Sequence, residues 1–310
     1  MSDAFRDAVI AATGGDPGTI DPGRWVRFST SGKRGDTAGW CKLFDDGRGG
    51  VYGCHRQSVS ASWFAADRSK MTRAERAAHA RAVEQAMRER EAALRAERAE
   101  NAKRIAALWS QCVPLVPGDP VTLYLKRRGF GGVWPLPGCL RHHPSLDYWH
   151  AGECTGTFPV MVAPLTAPDG GIVALHRTYL TRDGRKADVP TVRKLTRAAG
   201  PLAGACIALH RPSRGVIGIA EGIETALAAW LASGIPTVAA YSAGNVAAWQ
   251  WPREVRRIVI FGDSDKAGRD AADALRARAL ARGLRCETLT PTGDGTDWCD
   301  VWARLGEVHA

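Results

Sequence analysis

Two stretches of this chain repeat one pattern. Val216-Ile217-Gly218-Ile219-Ala220 runs into Glu221-Gly222, and Val259-Ile260-Phe261 runs into Gly262-Asp263-Ser264-Asp265. Each short β-branched, apolar run ends in an acidic residue, and each is followed by apolar spacing of helical period, from Glu224 to Leu231 and from Ala267 to Arg282. The pattern predicts strand, acidic loop and helix, twice over: an α/β fold whose mostly parallel sheet is flanked by helices. In such sheets functional groups gather beyond the carboxyl ends of the strands, so Glu221, Asp263 and Asp265 are expected to converge. Three carboxylates at one place repel, and a divalent cation neutralises them most simply.

At 310 residues the chain has room for two or three domains. Its formal net charge of +10 favours a polyanionic partner, nucleic acid before a membrane surface. No apolar run approaches the roughly 18 residues of a spanning helix, and Met1 to Ile10 lacks a basic stretch followed by an apolar one. The expectation is a cytoplasmic protein with no membrane partner. The eight cysteines include no Cys-x-x-Cys pair and read as free thiols. Cys139, His142, His150 and Cys154 have zinc-like spacing, but Pro144 between them and the lack of a knuckle glycine argue against a site there.

Four parts follow from the shifts in composition. Residues 1–68 form a short helix and then a small β-rich module, with strands at Trp25 to Phe28, Trp40 to Phe44 and Gly50 to Gly53. Its basic residues, Arg27, Lys33, Arg34 and Arg56 among them, alternate with aromatics such as Trp40. That mixture suits single-stranded nucleic acid, with cations on phosphates and bases on rings. Residues 69–112 are rich in Ala, Arg and Glu behind a Thr72/Glu75 capping box and predict one long helix of roughly 40 residues. Its weak apolar seam points to a solvated spacer that packs only near its end. Residues 113–213 form a basic α+β part: a helix from Asp119 to Gly129, then a strand pair, Phe158 to Ala163 and Ile172 to Leu180, about a turn at 168–171. Residues 214–310 hold the acidic repeat. The basic groups Arg177, Lys186, Arg193 and Lys194 come just before it, as a phosphate-bearing substrate would require.

Ala220-Glu221-Gly222-Ile223-Glu224-Thr225-Ala226, the Ser242-Ala243-Gly244-Asn245 turn and Gly262-Asp263-Ser264-Asp265-Lys266-Ala267-Gly268, in that order and spacing, resemble the TOPRIM domain of DnaG-type primases, topoisomerases and some nucleases. The preceding segments, Tyr124 to Gly129, Arg141-His142-His143-Pro144, His176-Arg177-Thr178 and Asp183 to Ala187, are similar to the TOPRIM primase-like proteins of phages and conjugative plasmids. The resemblance is most specific over 216–300 and weakest before residue 70. It implies a DNA primase: metal-dependent, template-directed synthesis of short RNA primers on single-stranded DNA, from nucleoside triphosphates, for a mobile element.

The same resemblance implies the roles. Glu221, Asp263 and Asp265 form the catalytic set and bind Mg²⁺ or Mn²⁺, Glu221 as ligand or proton carrier, and Asp297 and Asp300 extend the metal site. Arg177, Lys186, Arg193 and Lys194 hold nucleotide or template. No zinc module and no P-loop is found, so template recognition falls to residues 24–64 and a helicase would be a separate protein. His142, His143 and His176 are taken as structural, and Glu224 and Asp270 as solvated helix surface. Two other readings stand beside this one: a TOPRIM nuclease, and a non-catalytic single-strand-binding or replisome-recruiting protein.

Overall fold

The computed structural model describes residues 2–32, 35–57, 59–66, 71–291 and 298–308. The chain divides into two compact units, Met1–Ala96 and Glu97–Ala310.

In the first unit, strands β1 (Trp25–Phe28), β2 (Gly39–Leu43), β3 (Gly49–Cys54) and β4 (Val59–Phe64) form an antiparallel sheet in chain order. Helix α1 (Ser2–Thr13) packs on it through Phe5 and Val9, which bury against Phe28, Cys41 and Leu43. The long helix is α2 (Arg73–Ser110), started by the expected capping box: Thr72 N–H donates to Glu75 Oε2 at 2.9 Å and Glu75 N–H to Thr72 Oγ1 at 3.2 Å. It is not a spacer that packs only near its end. Val83, Ala86 and Met87 lie on one stripe, and that stripe covers Trp40 and Val51.

Trp40 is 2% exposed, its ring beside Trp25 at 6.0 Å and beneath the Arg90 guanidinium at 3.9 Å. At that burial the ring belongs to the core of the small sheet and offers no face to a base. Of the other residues expected to meet a single strand, Arg27 is exposed with Nε donating to Thr37 O, and Arg56 pairs with Asp36 at 3.0 Å. Lys33 and Arg34 lie outside the described residues.

The second unit begins with an antiparallel meander, β5 (Val113–Pro114), β6 (Arg141–His150), β7 (Glu153–Thr166), β8 (Ile172–Tyr179) and β9 (Arg193–Leu195), also in chain order. Alternation divides its side chains between two faces. Val160, Val162, Leu175 and Tyr179 face the end of α2, where Ile105, Leu108 and Trp109 cover them. Met161, Ala163, Leu165 and Ala174 face helix α3 (Pro120–Leu125) and the parallel sheet beyond. Helix α3 is shorter than expected: Asp119 caps it by accepting from Thr122 N–H at 2.7 Å, and Lys126–Phe130 continue as a π-helical turn with Gly129 at φ +89°.

Strands β10 (Val216–Ala220), β11 (Thr237–Ala239), β12 (Arg257–Phe261) and β13 (Arg285–Leu289) form a parallel sheet in the order β11-β10-β12-β13. Helices α4 (Ile223–Ser233) and α7 (Trp298–Val308) lie on one face, and α5 (Ala243–Ala248) with α6 (Lys266–Ala281) on the other. Ile217, Ile219, Ile258 and Ile260 point toward α5 and α6, while Ala220, Val259 and Phe261 point toward α4. Burying an Ile or Phe here contributes about 2 kcal/mol. Helix α4 is apolar on nearly all sides because it is shared between the parallel sheet and the meander. Among the described residues no helix is long and apolar enough to cross a membrane.

Candidate functional site

The chain leaves β10, returns through α4 to β11 on one side, and then crosses through α5 to β12 on the other. The strand order therefore reverses between β10 and β12, and a crevice opens at their carboxyl ends. Glu221 follows β10 directly and Asp263 stands two residues beyond β12, so the crevice lies between them. Together with Gly262 and Gly268 they line a cavity of about 10 Å³, the size of one water or one small ion.

Burial of Glu221, which is half-buried, pushes its carboxyl above the ordinary range, and the negative charges of Asp263 and Asp265 push it the same way. Arg193 is the opposing influence. Asp265 also starts a helix: its Oδ1 accepts from Gly268 N–H at 2.7 Å, the N-cap of α6. A Cβ on Gly268 would stand 2.9 Å from Asp263 O and 3.1 Å from Asp265 Oδ1. A residue without a side chain is therefore what lets the first turn of α6 close on the acidic loop. On the other flank Tyr241 takes a left-handed conformation, φ +62°, and its N–H donates to Glu221 O at 2.8 Å. That backbone conformation costs about 1 kcal/mol or more for a non-glycine residue, and here it pins the acidic loop.

Hard carboxylate oxygens with an excess of negative charge suit Mg²⁺ or Mn²⁺. Among the described residues no three His, Cys, Asp or Glu side chains form a ready cage for an ion. An open pair or triad of carboxylates still fits Mg²⁺, which takes one or two from the protein and its other donors from water and substrate phosphate. Asp300 lies exposed in the first turn of α7, and Asp297 lies outside the described residues. The zinc-like spacing does not become a site: His142 is paired with Met161 at one end of β6, and Cys154 is paired with Trp149 at the other.

The basic residues separate by strand alternation. Thr178 pairs with Arg193 and Arg177 with Lys194, so neighbours on β9 face opposite ways. Arg193 faces the acidic domain, with Nη2 donating to Glu224 Oε1 at 2.7 Å. Arg177 and Lys194 face the other way. Arg177 donates to Tyr179 Oη and Leu195 O, while Lys194 donates to Trp149 O and sits 3.8 Å above the Tyr148 ring. Lys186 is exposed beside its bridge to Leu180.

Glu224 is not solvated surface: it is 4% exposed, and its Oε1 accepts from both Arg193 and the Tyr124 hydroxyl. Burial alone would raise its carboxyl, but Arg193 and Tyr124 outweigh that and hold it lowered. The sequence signal was available, since an acid inside a helix that is apolar all round needs a buried partner. Asp270, by contrast, is exposed and pairs with Lys266 at 2.6 Å, as expected of a helix surface. His176, beside this group, is pushed down to about 4 by burial first of all and stays neutral.

The Toprim domain profile matches residues 216–307, and that of a domain of unknown function, DUF7146, matches residues 98–209. A search of the curated proteins found no match. Among solved structures the chain is similar to a DNA primase domain from Pseudomonas aeruginosa, at 20% identity and TM-score 0.35 over 52% of each chain. It thus spans about half the length of that relative. It is also similar to the RNA polymerase domain of Mycobacterium tuberculosis primase DnaG, at 17% identity and TM-score 0.42, over 70% of this chain and 78% of that one. The Aquifex aeolicus primase, with its zinc-binding and RNA polymerase domains, matches at 12% identity and TM-score 0.42 over 99% and 83%. The parallel sheet and the acidic loops at its switch point lie within residues 216–307, the segment that matches the Toprim domain, and the segment ahead of it, residues 98–209, matches DUF7146.

Proposed function

We propose that this protein is a DNA primase that joins ribonucleotides into short primers on a single-stranded DNA template, serving replication or transfer of a mobile element. The observation that carries the reading is the placement of Glu221 and Asp263 on either side of the sheet's switch point, with Arg193 reaching toward them from the basic sheet. Mg²⁺ or Mn²⁺ bound there would withdraw charge from the reacting phosphate and ease ionisation of the primer 3′-hydroxyl. Asp263 and Asp265 would supply the carboxylate oxygens that hold it, and Asp300 would extend the set, as would Asp297. Glu221 holds its proton more readily than an ordinary carboxylate, which suits it to take the proton of the attacking hydroxyl.

Arg193 binds Glu224 through one nitrogen and is 46% exposed, so its other N–H groups are available to triphosphate oxygens. Arg177 and Lys194, on the opposite face of the same sheet, would meet template, and Lys186 would act from the rim. Arg27 and Arg56, with Lys33 and Arg34, would give the small module a cationic track for single-stranded DNA. A helicase would act as a separate partner.

The deciding assay combines single-stranded DNA of varied sequence, labelled nucleoside triphosphates and Mg²⁺ or Mn²⁺ with wild-type protein and an Asp263→Asn/Asp265→Asn variant. Asn at 265 keeps the helix cap. Short labelled products that vanish in the variant establish the primase. Degraded template identifies a nuclease, salt-sensitive binding without products identifies a binding module, and equal product from both proteins refutes the assigned site.

A further inference from the structure

The parallel sheet has a second pole. At the amino ends of β12 and β13, one five-residue strand or roughly 16 Å from the carboxylates, two cavities adjoin and share Gln250 and Trp251. The larger, of 710 Å³, is lined by Arg253, Arg256, Arg278 and Arg282 and by no carboxylate. The smaller, of 320 Å³, is largely apolar, walled by Trp249, Pro168 and Pro212, with Glu254 as its one acidic lining residue.

Two of the four arginines are pre-set. Arg278 donates from Nη1 to Ala247 O at 2.6 Å and Trp249 O at 3.0 Å, and its guanidinium lies 5.4 Å from the Trp251 ring. Arg256 donates from Nη1 to Arg253 O at 2.8 Å and Val255 O at 3.0 Å. Carbonyls thus orient one nitrogen of each and leave their other N–H groups for an outside acceptor. Among the described residues none of the four forms an ion pair, although Arg257 on the same unit pairs with Glu287 and Lys266 with Asp270. Basic residues in the last turn of a helix offset its dipole, which accounts for Arg278 and Arg282. It does not account for Arg253 and Arg256, which precede β12, nor for a tryptophan shared by a cationic groove and an apolar pocket.

We infer that this groove binds single-stranded nucleic acid, its phosphates on the four arginines and one base against Trp251 at the mouth of the apolar cavity. Cations tracking a backbone beside an aromatic ring are the physical requirements of single-strand binding. An acidic peptide would use the arginines but leave the ring and the apolar cavity without purpose. With no carboxylate in the groove the site holds a strand and performs no chemistry on it, and it stands whether or not the carboxylate pole makes primers.

The test is fluorescence anisotropy of a labelled twelve-residue oligothymidylate with the full chain in EDTA, across 50–200 mM salt, so that metal-dependent binding at the other pole is removed. Arg253→Gln/Arg256→Gln/Arg282→Gln is expected to weaken binding about tenfold or more and to flatten the salt slope by about two. Trp251→Leu is expected to weaken it about tenfold with the slope unchanged. Arg88→Gln/Arg95→Gln/Arg104→Gln removes the same net charge from ion-paired positions on α2 and is expected to change affinity by less than about threefold. Should the Arg256 replacement unfold the protein, Arg253→Gln/Arg282→Gln carries the test alone. Equal losses in groove and control variants, unchanged binding in the groove variants, or competition by thymidine monophosphate at the same nucleotide concentration would each overturn the inference.

Discussion

Arg193, on the last strand of the basic meander, donates to Glu224, on the first turn of the helix that follows Glu221, at 2.7 Å. This bond joins the meander to the helix that follows the acidic loop, and the Tyr124 hydroxyl donates to the same carboxylate oxygen. Glu224→Ala leaves a buried tyrosine without its acceptor and a guanidinium without its partner. The expected cost is about 2–3 kcal/mol, discounted for the half-exposed arginine. Chemical denaturation should show it, and Glu224→Gln should recover about half.

Strand alternation sets the two neighbouring cations on opposite faces of the sheet, and the proposed primase reading gives them different roles. Arg193→Ala is expected to raise the KM for nucleoside triphosphate about tenfold, because Arg193 is on the side of Glu221. Lys194→Ala, whose ammonium lies over Tyr148 on the opposite face, is expected to leave that KM within about twofold. Steady-state primer synthesis against nucleotide concentration distinguishes them, and equal effects would contradict the assignment.

Metal binding should be proton-linked. The Glu221 carboxyl is raised by burial and by Asp263 and Asp265, so below its pKa a proton competes with the cation, and affinity rises with pH until the proton is gone. Calorimetric Mg²⁺ titration in buffers of different ionisation enthalpy should register proton release on binding. Asp263→Asn removes one of the charges that raise Glu221. It should reduce that release and weaken Mg²⁺ binding about tenfold or more.

Gly268→Ala tests the tight closure of α6 on the acidic loop. The new methyl meets Asp263 O at 2.9 Å, backbone that cannot swing aside as a side chain would. Under the proposed primase function, primer synthesis should fall about tenfold, or about 1.4 kcal/mol in the barrier, with a melting temperature lowered by only a few degrees. A fully active variant would show that the loop shifts freely.

Acid stability should report His176. Its folded pKa of about 4 lies below the unfolded value of 6.5, so between those limits the unfolded chain binds a proton that the folded one refuses. Stability is complete above about pH 6.5 and falls toward pH 4, by up to about 3 kcal/mol from this group. The lowered Glu224 adds its own loss below about pH 4.5. Denaturation at pH 7 and pH 5 should give a difference that His176→Gln reduces.

The sequence by itself determined the α/β repeat, the loops that carry Glu221, Asp263 and Asp265, the capping box of α2 and the basic strands ahead of the acidic domain. These are local properties: periods of two and 3.6 residues, cap chemistry and turn residues act within a few positions of the chain. Even there, Trp40 and Arg27 read alike as members of an aromatic, basic surface, and only the sheet showed one buried and the other exposed. Which cation faces the carboxylates was decided by the pairing of β8 with β9, because a shift of one residue along a strand turns a side chain to the other face. Glu224 was likewise settled in three dimensions. It lies 100 residues from Tyr124 and 31 from Arg193, and the burial of α4 between two sheets brought the three together. The paired carboxylate loops were legible because each ends its own strand; their meeting at one crevice came from the reversal of strand order between β10 and β12, a property of topology that no local stretch contains.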